Sequence, residues 1–229
     1  MTKVKICGLK SSEDIDVINK AGADFAGFIM TASRRQINPE AASTLILKLN
    51  SSIQAVGVYR NEPVSQIVIE QALAGFSIIQ LHTRPDRQRF YELRQHLPAA
   101  VQIWQSIHVR SDLTDAHKDP SMSCQLTEVS AFSDMPDGVL FDASAGGSSG
   151  GTGKSFSWRG IRALYDRFKL TGLMIAAGGL HINNVSQAIC CLQPDIVDCS
   201  SGVENERGKD QLLTVEFCSR VKQSIKQQP

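Results

Sequence analysis

Long apolar runs are missing from this chain. None approaches the ~18 residues of a bilayer-spanning helix, so no membrane partner is expected. The opening segment MTKVKICGLK lacks the apolar stretch of a secretion signal, and a cytoplasmic location is expected. Charge bias is missing as well. The formal net charge of +1 argues against nucleic acid as the main partner. An anionic small molecule stays open, because a site needs only a local positive potential. The six cysteines include no C-x-x-C pair, and no histidine stands at zinc-ligand spacing from two of them. No zinc site of that kind is therefore expected, and a disulfide framework is not expected in a chain this long without an export signal. A G-x-G-x-x-G turn after the first strand is absent too, and KICGLKSSED stands in its place.

What is present suits one sizeable core. Apolar residues make up 42% of 229 positions, close to the ~250 residues of a single parallel barrel. Short β-type runs alternate with helix-type segments along the whole length. The strands are expected at Lys3–Cys7, Asp24–Met30, Gln54–Tyr59, Ser77–His82, Val101–Ile107, Gly138–Asp142, Leu173–Ala177 and Asp195–Cys199. Ser11 opens the first helix, Pro39 the second and Pro63 the third. Further helices are expected over Arg84–Leu97, Phe156–Phe168, Ile182–Leu192 and about Asp210–Lys226. The polar stretch from Arg110 to Asp137, with Pro120 and Pro136, is where the alternation weakens. With no composition break, the pattern predicts a single α/β domain over residues 1–229, a (β/α)8 TIM barrel.

The stretch GVLFDASAGGSSGGTGKSF, Gly138 to Phe156, stands out. An apolar strand ends on Asp142, and five glycines follow among serines and a threonine. A Gly/Ser run alone reads as a linker. This one starts from a carboxylate on a strand end and returns at once to a helical pattern, so it reads as a loop that can bring bare N–H groups to a ligand. In a parallel barrel the C-terminal strand ends share one mouth. Those ends carry Cys7, Arg34 or Arg35, Arg60, His82, Gln105, Asp142, Gly178-Gly179 and Asp198–Ser200. A thiol and a carboxylate on different strands can form a base–acid pair. The small residues after the seventh and eighth strands suit a phosphate cradle. Each has a plainer reading: a strand-end cysteine usually packs, His82 can be a hydrogen-bonded strand end, and Asp198 can tie down its own loop. Asp142 is hardest to dismiss, because a carboxylate ending an apolar strand needs partners or a task.

KICGL, SRRQI, VGVYRN, IIQLH, FDAS…GGTGKSFSW, AAGGLHINNV and DCSSGVE…GKD, in this order over nearly the whole chain, resemble the phosphoribosylanthranilate isomerase family of tryptophan biosynthesis. The resemblance implies an eight-stranded barrel and an Amadori rearrangement of a phosphorylated aminoaldose to an aminoketose, without cofactor or metal. It implies Cys7 as general base and Asp142 as general acid. It implies Arg35 as partner of the anthranilate carboxylate. His82, Gly178, Gly179, Asp198, Ser200, Ser201 and Gly202 would contact substrate or its phosphate, with the loop at Gly153 closing over it. A phosphorylated small molecule is the partner expected, bound by a monomer or homodimer. For Cys7 to ionise, a positive neighbour is needed, and Lys5 lies two residues away on the same strand face. The chain departs from the family pattern at Thr83, Gln105, Ser157 and Cys199. A histidine-pathway sugar isomerase would be expected to use two aspartates, and indoleglycerol-phosphate synthase would want lysines and glutamates at its strand ends. A barrel that only binds a phosphorylated metabolite would have no need of both Cys7 and Asp142.

Overall fold

The computed structural model describes residues 1–110, 119–142 and 158–224. Eight parallel strands close into a barrel, each paired with its neighbours in chain order and the first with the eighth. They are β1 (Lys3–Cys7), β2 (Phe25–Ile29), β3 (Gln54–Tyr59), β4 (Ile78–Leu81), β5 (Gln102–His108), β6 (Gly138–Asp142), β7 (Leu173–Ala177) and β8 (Ile196–Cys199). The helices between and after them are α1 (Ser12–Ala21), α2 (Pro39–Ile46), α3 (Val64–Ala74), α4 (Arg87–His96), α5 (Pro120–Ser130), α6 (Trp158–Arg167), α7 (Val185–Leu192) and α8 (Gln211–Ser224). Among the described residues no helix is long and apolar enough to cross a membrane.

Strand periodicity sorts the side chains into two cores. Phe25, Val56, Val58, Ile78, Trp104, Leu140, Ile175 and Ile196 fill the barrel interior, with the Phe25 and Trp104 rings edge to face. The other strand residues meet the helices in a larger shell that includes Ile6, Phe28, Tyr59, Phe141 and Phe217. At the C-terminal ends of the strands the inward positions change from apolar to Cys7, Gln80, Ser106, Asp142 and Asp198, all buried. That change of residue type opens the mouth.

Capping residues set the helix starts and explain where they differ from the sequence reading. Ser11 and Asp14 form a capping box on α1, whose end is turned by Gly22. The fourth helix begins at Arg87, not Arg84, because the Asp86 side chain accepts from Arg89 N–H. The seventh begins at Val185, not Ile182, because Asn184 and His181 exchange hydrogen bonds in a turn. In the weakly patterned stretch, Pro120 opens α5 rather than breaking it, with Asp119 as cap. The second helix stops at Ile46, and Leu49 follows in a tighter turn, half-buried against the core. The loop expected after β8 contains one 3-10 turn, Ser201–Val203. A two-stranded hairpin follows, β9 (Glu204–Asn205) and β10 (Gly208–Lys209). The Gly-rich loop with Gly153 and Ser157, the helix start at Phe156 and the end of the last helix at Lys226 lie outside the described residues.

Candidate active site

A cavity of about 290 Å³ opens at the C-terminal end of the barrel. Its lining includes Cys7, Arg35, His82, Asp142, Gly178, Gly179, Asp198, Ser200 and Ser201. These residues come from β1, β6, β8 and the loops behind β2, β4, β7 and β8. Gly202 stands one residue beyond the lining, and Gly153 is outside the described residues. Ile29, Thr31, Ser33, Val58, Arg60 and Gln80 complete much of the wall. Arg34, 74% exposed, only reaches Glu204 at 3.5 Å and is not in the lining, so Arg35 is the arginine of the pair that reaches the cavity.

Cys7 ends β1. The register pairs Lys5 with Asp198 across β1 and β8, and the two side chains form a buried ion pair of 2.7 Å below the cysteine. Burial alone would strip Lys5 of its proton. Asp198, and then Cys7, more than reverse this, so Lys5 titrates above its ordinary value and stays an ammonium. The Cys7 thiol is itself pushed up by burial. Lys5 pulls it down, Asp198 opposes, and Lys209 pulls it down again. The positive neighbour that a thiolate needs is thus in place, but burial outweighs it here. The carbonyl of Cys7 accepts from Ser200 Oγ at 3.0 Å, so that hydroxyl serves the strand end. Asp198 keeps its second oxygen, Oδ1, buried without a hydrogen-bond partner. An orphaned acceptor on a cavity wall suits a ligand hydroxyl.

Asp142 ends β6, three strands from β1 around the ring by way of β7 and β8. His82 lies 3.4 Å from its Oδ2 through Nε2 and meets Ser106 Oγ at 3.2 Å through Nδ1. Burial brings His82 down to about 4, against the pull of Asp142, so the imidazole is neutral at neutral pH. Across the mouth, Gly178 and Gly179 hold φ of 88° and 63°. Side chains rarely adopt that backbone, and glycine there lets the main chain form part of the cavity wall. Arg35 gives its Nε and Nη2 to the two oxygens of Glu204, at 2.8 and 2.6 Å. Its side-on edge is therefore taken by Glu204.

Glu204 and Lys209 stand in the motif DCSSGVE…GKD, but the sequence alone assigns neither a role, and Ser106 behind His82 is not singled out by it. Among the described residues no group of histidine, cysteine or acidic side chains is arranged to hold a metal ion.

A parallel barrel with a thiol and a carboxylate lining one mouth, and glycines behind its last two strands, belongs to the barrel enzymes that build their sites at the C-terminal strand ends. Residues 4–220 match the family described as N-(5'phosphoribosyl)anthranilate (PRA) isomerase, and the chain belongs to that family. An N-(5'-phosphoribosyl)anthranilate isomerase of Clostridium acetobutylicum is 34% identical, over 97% of this chain and 98% of the relative. One from Brevibacillus brevis is 33% identical over 97% and 94%. The solved phosphoribosyl anthranilate isomerase of Thermotoga maritima superposes with a TM-score of 0.81 at 28% identity, over 97% of this chain and all of that one. Another solved isomerase, in complex with reduced 1-(o-carboxyphenylamino)-1-deoxyribulose 5-phosphate, gives 0.78 at 26% identity over the same shares.

Proposed function

We propose that Cys7 and Asp142 perform the proton transfers of the reaction for which the family is named, the isomerisation of N-(5'-phosphoribosyl)anthranilate in tryptophan biosynthesis. Asp142 gives a proton to the furanose ring oxygen as the C1′–O bond breaks, and the anilino nitrogen supplies the electron pair that forms C=N. Cys7, as thiolate, then takes the proton from C2′. The C2′–H electrons form the C1′–C2′ double bond, and the C=N pair returns to nitrogen. The product is the enol form of 1-(2-carboxyphenylamino)-1-deoxyribulose 5-phosphate. One proton enters and one leaves, with no net oxidation.

The observation that carries this reading is that a thiol on β1 and a carboxylate on β6 line one small cavity. The cavity is flanked by amides of the kind that cradle phosphate. Arg35 meets the anthranilate carboxylate end-on, and Oδ1 of Asp198 accepts a sugar hydroxyl. Neutral His82 holds its place between Ser106 and Asp142 without adding a charge beside the acid.

The test uses substrate made in place from anthranilate and phosphoribosyl pyrophosphate, followed by its fluorescence. The signal should decay when the protein is added, and the gene should rescue a tryptophan-requiring strain that lacks its own isomerase. A stable signal with folded protein would overturn the reading.

A further inference from the structure

Between β8 and α8 the chain makes a detour that the reaction as described leaves unused. The hairpin of β9 and β10 carries Lys209, whose side chain is only 1% exposed. Its ammonium donates to Cys7 O at 2.6 Å, Ser200 O at 3.1 Å and Glu204 Oε1 at 2.6 Å. A lysine has three protons to give, and all three are spoken for. Glu204, the acceptor of one, is also the carboxylate that holds Arg35 by its fork. The hairpin is pinned in turn, because Lys209 N–H donates to Asp14 Oδ1 at 2.9 Å while the other oxygen of Asp14 caps the start of α1. The stem of Arg35 lies across Gly8, where an added Cβ would stand 2.5 Å from Arg35 Cδ. Gly8 also has φ of 86°, so a side chain there would be strained as well as crowded.

A chain of contacts therefore runs from the carbonyl of Cys7 through Lys209 and Glu204 to Arg35. A hairpin that only closed the barrel would be held as well by apolar side chains, since a buried ion pair is not by itself a gain in stability. This one joins the end of β1 to the loop that carries Arg35.

We propose that Lys209 and Glu204 are positioning residues of the isomerase. Lys209 fixes the strand end that carries Cys7 and sets a cation beside its sulfur, and Glu204 presents Arg35 end-on to the aromatic carboxylate. The proposal rests on the reading of Cys7 as base and Arg35 as carboxylate ligand. The charged groups around Cys7 are Lys5 on its own strand, Asp198 on β8, Lys209 on β10 and Arg35 behind β2. Asp142 and His82 share the cavity wall. Burial raises the thiol, while Lys5 and Lys209 are the groups that lower it.

The two residues carry opposite charges, so their variants should separate. Lys209→Met removes a cation near the thiol. Glu204→Gln removes an anion and leaves the cation, while breaking the fork on Arg35. A hairpin that merely loosened would move both variants the same way. The experiment uses the full chain as wild type, Lys209→Met, Lys209→Arg and Glu204→Gln. It measures kcat and KM against pH, and the pH midpoint for iodoacetamide alkylation of Cys7 without substrate, read on the Cys7 peptide. Lys209→Met should raise that midpoint by about one pH unit and move the acid limb of kcat/KM with it. Lys209→Arg should bring both back toward wild type. Glu204→Gln should leave the midpoint at or below wild type and raise KM about tenfold, with kcat changed less than about threefold.

Midpoints and KM within about twofold of wild type in both variants would overturn the proposal, as would an upward midpoint shift in both. If Lys209→Met does not fold, Glu204→Gln decides by the same readouts, and an unchanged KM overturns the proposal. If wild type consumes no substrate, the isomerase reading fails instead, and the alkylation midpoints still report whether Lys209 tunes Cys7.

Discussion

Around β1 and β8 the mouth is laced with buried charge, while on the side of β4, β5 and β6 stand two imidazoles that burial holds down, His82 in the lining with Arg60 near it and His108 packed against His82. On the first side Lys5, Asp198, Lys209, Glu204 and Arg35 are tied by ion pairs of 2.6 to 2.8 Å. On the second, His82 sits 3.4 Å from Asp142, and the ring of His108 meets that of His82 edge to face. His108 too is held below its ordinary value by burial. The difference bears on the two roles proposed, although at Cys7 burial still outweighs the cations that oppose it. A buried thiol can serve as a base only if cations favour its anion. A carboxyl that must deliver a proton is better served by neutral neighbours, since a cation would favour its ionised form.

Removing the two reacting groups is the severest way to break this comparison. Cys7→Ala and Asp142→Ala should each lower kcat by roughly 10²- to 10⁴-fold in the fluorescence assay, with cooperative thermal unfolding retained. A near-wild-type rate in either variant would remove that half of the site from the mechanism. Next in size is Lys5→Met, which leaves Asp198 buried without its counter-ion. Urea unfolding at neutral pH should show a loss of about 3–5 kcal/mol, much of it recovered when Asp198→Asn is added. No recovery in the double variant would mean that the lysine stem, and not its charge, supports the strand.

The neutral side is tested by acid. His82 binds a proton at about 4 when folded and at 6.5 in its ordinary state. The unfolded chain therefore takes up that proton first. Stability is complete above 6.5 and falls as pH drops from there toward about 4, by on the order of 3 kcal/mol at this position. His82→Gln should flatten that part of the curve relative to wild type, measured by urea unfolding at several pH values. Parallel curves would show that His82 is not a source of acid sensitivity. The smallest effect is expected at Thr83. Gln105 Nε2 donates to its main-chain carbonyl at 2.8 Å, a bond that survives any side-chain change. Thr83→Gly should alter KM by less than about threefold, because the hydroxyl makes only a long 3.4 Å contact to Asn61.

The same contrast explains what could be read in advance. β1, β3, β6 and β7 begin and end where the apolar runs do. In a parallel barrel, strand ends carry their inward side chains to one mouth, so Cys7, His82, Asp142 and Asp198 could be grouped without coordinates. The neighbours of each were harder to foresee. Lys5 and Asp198 become a pair through the β1–β8 register, which local sequence does not encode. Arg35 and Glu204 meet across 169 positions, and each lies in a loop without periodicity. Helix starts moved by a turn wherever an Asx cap, as at Asp86, competed with the apolar stripe. The departures at Thr83 and Gln105 looked independent in the sequence and turn out to touch each other.

The bond from Lys209 to the carbonyl of Cys7 spans 202 positions. On the ribosome the sulfur-bearing segment therefore emerges 202 residues ahead of the residue that secures it. At usual elongation speeds, roughly 5–20 residues per second, the interval is about 10 to 40 s. Throughout it the nascent chain carries its nucleophilic sulfur without the pocket that later shelters it. Only once Lys209 has been made can the finished pocket shelter that atom.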